Sequence, residues 1–387
     1  MIADLHSHYP MHIVPGAPRD ALRAFVTARG RGRLRDRARA LAVGLASRFG
    51  NYRSFESGPR VTIPLLRQGG VGVALSVLYS PFDELDVEER YGAPPRDDYF
   101  ANLLRQLKTV EREVADKHRG EARIARTPAE LDEALAAGEV ALVHCVEGGF
   151  HLGGEPEVVE RNVGELARHG VAYITLAHLF WRRVAADENA IPFLPDALYD
   201  RLFPQPPVGL TELGRAAVRA MVAEHVLIDL SHMNERALAD TIALLDELDP
   251  SRDVPVIASH SPYRFGRQDY NLTAATIERI AERGGVVGLI LAEHQAGDGL
   301  RRSPTKSLDD SLALLFRHLD RLREITGSHA HSGIGSDLDG FIKPTLAGLD
   351  HAGQLADLER ALVNRYGPED AESISSGNVL RLLRRQH

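Results

Sequence analysis

Short apolar runs rich in β-branched residues recur along the chain at 1–6, 71–79, 140–146, 171–177, 226–231, 254–259, 285–291 and 331–337. Between them lie stretches with helical periodicity, such as 211–225, 234–248, 273–285 and 307–327. Thr211, Asn234 and Thr273 stand where an N-cap belongs, and Gly284 and Gly327 suit the left-handed residue that closes a helix. Near-continuous apolar strands alternating with amphipathic helices predict a parallel sheet covered by helices. A count of eight favours closure into a (β/α)8 TIM barrel over an open doubly wound sheet. The segments 9–70, 80–139 and 179–225 exceed a minimal connection, so long insertions are expected after the first, second and fourth strands. The whole of 1–387 then reads as one barrel domain, and no phosphate-binding G-x-G-x-x-G follows the first run.

Composition narrows the class. The 387 residues are 44% hydrophobic and 26% charged, an ordinary globular balance. A net charge of −8 argues against a general nucleic-acid or acidic-membrane binder, which needs a basic face. Eight arginines between 19 and 39 form a local exception, read as a solvated helix face because no aromatic residues interleave with them. The lone Cys145 forms no internal disulfide, no apolar run is long enough to span a membrane, and MIADLHSH lacks a leader's pattern. A cytoplasmic protein is expected.

The polar residues carry the chemistry. His6, Ser7 and His8 end the first run, Glu147 the third, His178 the fourth, His232 the fifth, His260 the sixth and Asp337 the eighth. In a closed barrel those ends converge on one face, where active sites of this fold form. A single histidine at a strand end is more often structural, and His144, His225, His294 and His331 are read that way; His12 lacks a strand placement. Five histidines and two carboxylates at successive ends point instead to a metal site. Imidazole and carboxylate without thiolate suit zinc, with manganese, iron or cobalt as substitutes. Two residues apart on an extended strand, His6 and His8 share one face and can grip one ion. The ligands exceed what one tetrahedral ion needs, so two ions bridged by a carboxylate are the simplest distribution.

The motifs VEGG (146–149), LIDLSHMN (227–234), PVIASHS (255–261), GIGSDLDGF (333–341) and SGNVLRLLR (376–384), in this order, resemble the membrane (renal) dipeptidase family within the amidohydrolase superfamily. The likeness extends through TIPLLRQGGVGVALSVLYSP (62–81), YITLAH (173–178), GLTELGR (209–215) and IAERGGVVG (280–288), nearly the whole chain. It implies a binuclear zinc hydrolase of dipeptides or similar small amides, with a homodimer as the implied assembly. His6 and His8 would hold one ion, His232 and His260 the other, and Glu147 would bridge them. Asp337 would carry the proton to the leaving amine, His178 would donate to the carbonyl oxygen, and Asp339 and Asp4 would orient ligands. Two departures stand out. The family commonly carries His-x-Asp where this chain has His6-Ser7-His8, and an arginine that holds the substrate carboxylate where this chain has Tyr270 before Asn271. Arg264 and Arg267, with Tyr270, become the candidate substrate contacts. Hydrolysis of N-acyl amino acids or lactones is the alternative within enzymology, and a noncatalytic metal-containing binding protein the alternative outside it.

Overall fold

A computed structural model describes residues 1–13, 58–84, 91–191, 194–297, 305–340 and 345–385. The arginine-rich stretch 19–39 lies outside the described residues. Among the described residues nine parallel strands form one sheet: β1 (Ile2–Ser7), β2 (Val71–Leu78), β3 (Ala122–Ile124), β4 (Val140–Glu147), β5 (Tyr173–Thr175), β6 (Leu227–Asp229), β7 (Val256–Ala258), β8 (Val286–Leu289) and β9 (Ser332–Ile334). The order runs β2-β1-β9-β8-β7-β6-β5-β4-β3, and an additional β2–β4 pairing closes it into an eight-stranded barrel.

The ninth strand, β3, lies outside the eight runs read from the sequence. It pairs with the first half of β4, Ala122 opposite Val140 and Ile124 opposite Leu142, while β5 pairs with the far end, Val146 opposite Ile174. β3 and β5 thus share one edge of β4. Three residues with Arg123 at their centre, preceded by Glu121, carry too little apolar signal to register as a run.

Side-chain alternation sorts the two layers of the core. Ala3, Leu5, Val73, Leu75, Val77, Ala141, Val143 and Cys145 cluster together, joined by Val379, Leu380, Leu382 and Leu383 of the last helix, Asn378–Leu383. The intervening residues Ala74, Leu78, Leu142 and Val146 instead pack with Leu103, Leu107, Val163 and Leu166 of the covering helices. Period two on β4 places Glu147 on the same side as Cys145 and Val143, towards the barrel axis.

The helix starts are set by local chemistry. The side chains of Thr211, Asn234 and Thr273 accept from backbone N–H groups of the first turn, as their positions suggested. Gly327 ends the long helix Leu308–Thr326 at φ 83°, a left-handed conformation that glycine adopts without the Cβ penalty.

The hydrogen-bonded strands are shorter than their apolar runs. β6, β7 and β9 stop at Asp229, Ala258 and Ile334, so His232, His260 and Asp337 stand on the turns that follow. These turns are tied to the barrel by backbone bonds such as Leu230 N–H to Ile257 O, Asp337 N–H to His6 O and His8 N–H to Leu338 O. Loop residues at this face thereby inherit the rigidity of the barrel.

Candidate active site

The seven polar residues read from the strand ends come together at the C-terminal mouth, buried, their ligating atoms gathered in three overlapping groups: His6, Glu147 and His260; His6, His8 and Asp337; Glu147, His178 and His232. His6 Nε2 and His8 Nε2 are 3.3 Å apart, and His232 Nε2 and His260 Nε2 are 2.9 Å apart. Glu147 lies between the two pairs. Its Oε1 is 3.4 Å from His6 and His232 and 3.6 Å from His260, while its Oε2 is 3.4 Å from His8 and 3.3 Å from His178. Asp337 Oδ1 is 3.0 Å from His8 Nε2 and 3.7 Å from His6 Nε2.

Proton bookkeeping shows what these rings can do. Ser259 gives its hydroxyl proton to Asp229 Oδ2 at 2.6 Å, so its oxygen can only accept from His260 Nδ1 at 2.7 Å and His6 Nδ1 at 3.1 Å. Tyr173 likewise donates to Leu5 O and accepts from His6 Nδ1 at 2.8 Å. With the proton on Nδ1, a neutral ring presents only a lone pair at Nε2. Burial holds both His6 and His260 well below the ordinary histidine pKa, which keeps those lone pairs available. The bare Nε2 atoms of His6 and His260 face His8 Nε2 and His232 Nε2 beside the oxygens of Glu147, a cluster of donors to an electron-poor centre. The donor set therefore fits a divalent metal, and the Nδ1 partners supply the orienting contacts such ligands need.

The carboxylates fit the same reading. Burial opposes ionisation of Glu147, yet the imidazoles of His178 and His6 and the His232 hydrogen bond hold its carboxyl well below the usual range. Its Oε2 is buried without a hydrogen bond among the described residues. Asp337 shifts the other way, raised by burial and by Glu147 against the pull of His8. Burial disfavours a charged His178, but Glu147 and Glu84 outweigh it and push the ring up to about 9. Two of the seven residues adopt left-handed backbone conformations, His232 at φ 66° and Asp337 at φ 52°. Such strain in non-glycine residues concentrates at functional sites, where the surrounding bonds hold it.

A supporting layer lies below. Asp229 accepts from Ser231 N–H, Ser231 Oγ and Ser259 N–H on one oxygen and from Thr175 Oγ1 and Ser259 Oγ on the other, linking β5, β6 and β7. Asp4 accepts from the Ser336 N–H and hydroxyl, joining β1 to the turn that carries Asp337. Asp339 accepts from the Arg60 and Val61 N–H groups at 2.9 Å and faces His12 Nε2 at 3.0 Å. His12 thus reaches the rim through Asp339.

The candidate substrate contacts are placed differently. Arg264 donates to Asn271 O, Asp269 O and Glu235 Oε1, so its guanidinium is taken up by its own loop and the neighbouring helix start. Arg267 is exposed. Tyr270 is buried, donates to His260 O at 3.1 Å and sets its ring edge against His232, centroids 5.1 Å apart. His331 and His294 bond backbone carbonyls, His225 is exposed on a turn, and His144 is buried without a hydrogen bond among the described residues.

Sequence reasoning missed Glu84, Tyr79, Asp229, Ser259 and Tyr173. Asp229 and Ser259 lie inside recognised motifs, and period two from Leu227 and Ile257 would have turned both inward. Glu84 was signalled only by a gap: the second run had no polar residue assigned to its end.

The family model for membrane dipeptidase, peptidase family M19, matches residues 36–387. Dipeptidase tcpJ of Claviceps purpurea (strain 20.1) is 25% identical over 331 residues, spanning 84% of this chain and 68% of that protein. Among solved structures, dipeptidase AC, a metallopeptidase of family M19, is 23% identical with a TM-score of 0.66, covering 92% of this chain and 97% of that one. A metallopeptidase from Rhodobacter sphaeroides, liganded with a phosphinate mimic of the dipeptide L-Ala-D-Ala, is 22% identical with a TM-score of 0.68 and covers 100% and 99%. At such identities the structural likenesses speak for the fold, while the family match spans all but the first 35 positions and every motif set out above except His6-Ser7-His8. The chain belongs to the membrane dipeptidase family, peptidase family M19.

Proposed function

We propose that this member of the dipeptidase family hydrolyses the amide bond of dipeptides or closely similar small amides, using two divalent cations per chain, zinc first among them. The observation that carries the reading is the convergence of four Nε2 atoms on the two oxygens of Glu147 in a buried mouth. His6 and His8 would hold one cation, His232 and His260 the other, and Glu147 would reach both. When bound, the cations supply Lewis-acid polarisation of the substrate carbonyl and acidify water beside it.

The chain's own residues do the rest. Asp337 is raised in pKa by burial, which suits a group that takes a proton from water and returns it to the leaving nitrogen. His178, pushed up to about 9 by Glu147 and Glu84, would offer Nε2–H to the oxygen on which charge develops. The ring is preorganised, so little reorganisation is needed as the reaction proceeds. Among the described residues no helix is long and apolar enough to cross a membrane.

A second reading, hydrolysis of a lactone or of an amide without a terminal carboxylate, is favoured by one observation. Arg264 has its donors committed to Glu235, Asp269 and Asn271, and Tyr270 directs its hydroxyl to His260 O. The test is a zinc-loaded protein assayed on L,L and L,D dipeptides, their amides, N-acyl amino acids and lactones, with elemental analysis of the same sample. Dipeptide cleavage that a chelator abolishes and zinc restores supports the first reading. Metal-loaded protein inert across the set overturns both.

A further inference from the structure

Glu84 ends the short helix Pro81–Glu84 that follows β2, and 94 positions separate it from His178 in sequence. In space the two are joined. Glu84 Oε2 is 2.7 Å from His178 Nδ1 and 2.6 Å from the Tyr79 hydroxyl, and Oε1 accepts from the Phe180 N–H at 2.9 Å. The Glu84 side chain is fully buried and that of His178 is 4% exposed. The Tyr79 ring stands edge-on to His178 with centroids 4.6 Å apart, closing one side of the imidazole.

We propose that Glu84 is a positioning residue for the reaction, holding the His178 ring so that Nε2 faces the space beside Glu147. The inference rests on the hydrolytic reading above, in which His178 donates to the substrate carbonyl. A carboxylate brings no proton of its own, so each of its three contacts is an acceptance and His178 must carry hydrogen on Nδ1. The same carboxylate grips the ring at Nδ1 and the backbone two residues further on at Phe180, fixing both the side chain and the turn that bears it. The opposite end of the ring, Nε2, lies 3.3 Å from Glu147 Oε2. Rotation of the imidazole about its Cβ–Cγ bond would break the contact at Nδ1 and carry Nε2 away from the mouth.

The chemistry also explains why the residue is a glutamate. Tyr79 Oη–H, Phe180 N–H and His178 Nδ1–H are all donors and occupy both oxygens. Glutamine has one acceptor oxygen and one NH2 group, so either the NH2 faces the Phe180 N–H or it faces Nδ1 of His178, which could then accept only by giving up the proton the carboxylate holds there. A displacement of about 1 Å in a group that must meet a reacting atom can cost about 10²-fold in rate.

The test is a double-mutant cycle of Glu84→Gln and His178→Ala in zinc-loaded protein, with kcat, KM and bound zinc measured for all four forms. Glu84→Gln is expected to lower kcat by about 10–10²-fold with KM within about threefold and zinc content unchanged, and to have no further effect once His178 is alanine. Losses that multiply in the double variant, or a Glu84→Gln protein with normal kcat where His178→Ala is impaired, would overturn the proposal. Normal kcat in His178→Ala alone would refute the donor role from which it starts, a separate failure. A readout independent of turnover uses ring-15N-labelled histidine: the resonance absent from His178→Ala should report a slowly exchanging proton on Nδ1 in the parent protein, shifted in Glu84→Gln. An unprotonated Nδ1 at His178 would overturn the positioning even in a protein inert on every substrate tried.

Discussion

The Ser259 hydroxyl gives its only proton to Asp229 and stands 2.7 Å from His260 Nδ1, so a fully buried serine decides which nitrogen of His260 is bare. Asp229 in turn is held by donors from three strands' worth of chain, including Thr175 and Ser231. The barrel's interior hydrogen bonds thereby extend to the tautomer of a ring in the candidate site, which is how a rigid fold transmits order to its mouth.

Replacing Ser259 by alanine tests that relation. The variant leaves His260 Nδ1 and one contact of His6 Nδ1 without an acceptor, and Asp229 loses a donor. Zinc affinity is expected to fall about 10- to 100-fold, the usual effect of removing an orienting partner. Competition with a chelator of known affinity measures it, and parent-like affinity would separate the serine from the metal site.

Asp337→Asn keeps the shape of the side chain and removes its capacity to hold a proton. With His6, His8, Glu147, His232 and His260 untouched, bound zinc should be largely retained while kcat drops by at least about 10²-fold. If metal were lost in parallel with activity, Asp337 would be a ligand first, a role its 3.0 Å approach to His8 makes concrete.

Acid sensitivity should follow from a histidine buried outside the mouth. His144 is lowered to about 3, chiefly by burial, with Arg126 and His169 adding to it. The unfolded chain takes up this proton below about pH 6.5 and the folded chain resists until about pH 3. Stability is therefore fully present above pH 6.5 and is lost as pH falls through that window, by about 1–2 kcal/mol at pH 5. Urea unfolding at pH 7 and pH 5 should show a shallower loss in His144→Gln than in the parent, and equal slopes would refute the assignment.

Arg264→Met bears on substrate recognition. Because its guanidinium bonds Asn271 O, Asp269 O and Glu235, the variant should lose about 1–2 kcal/mol of stability. Its kcat/KM should change equally for a dipeptide and for the dipeptide amide. A loss confined to the free acid would show that the arginine leaves its loop to meet a carboxylate.

The barrel and the convergence of these side chains on one face were legible in the sequence for one physical reason each. Strand and helix periodicities are local properties of the chain, so eight runs and their intervening amphipathic stretches predicted closure, and strand direction then sent His6, Glu147, His178, His232, His260 and Asp337 to one face. Short, charged β3 escaped because its strand state comes from pairing with Val140 and Leu142 rather than from its own residues. What only the tertiary structure decided is the state of each group once assembled. The left-handed turns at His232 and Asp337, the bare Nε2 atoms, the commitment of Arg264 to its loop and the grip of Glu84 on His178 all depend on partners distant in the chain. Protonation and orientation in a buried site are set by whichever donors and acceptors packing brings within about 3 Å, and no local pattern encodes that distance.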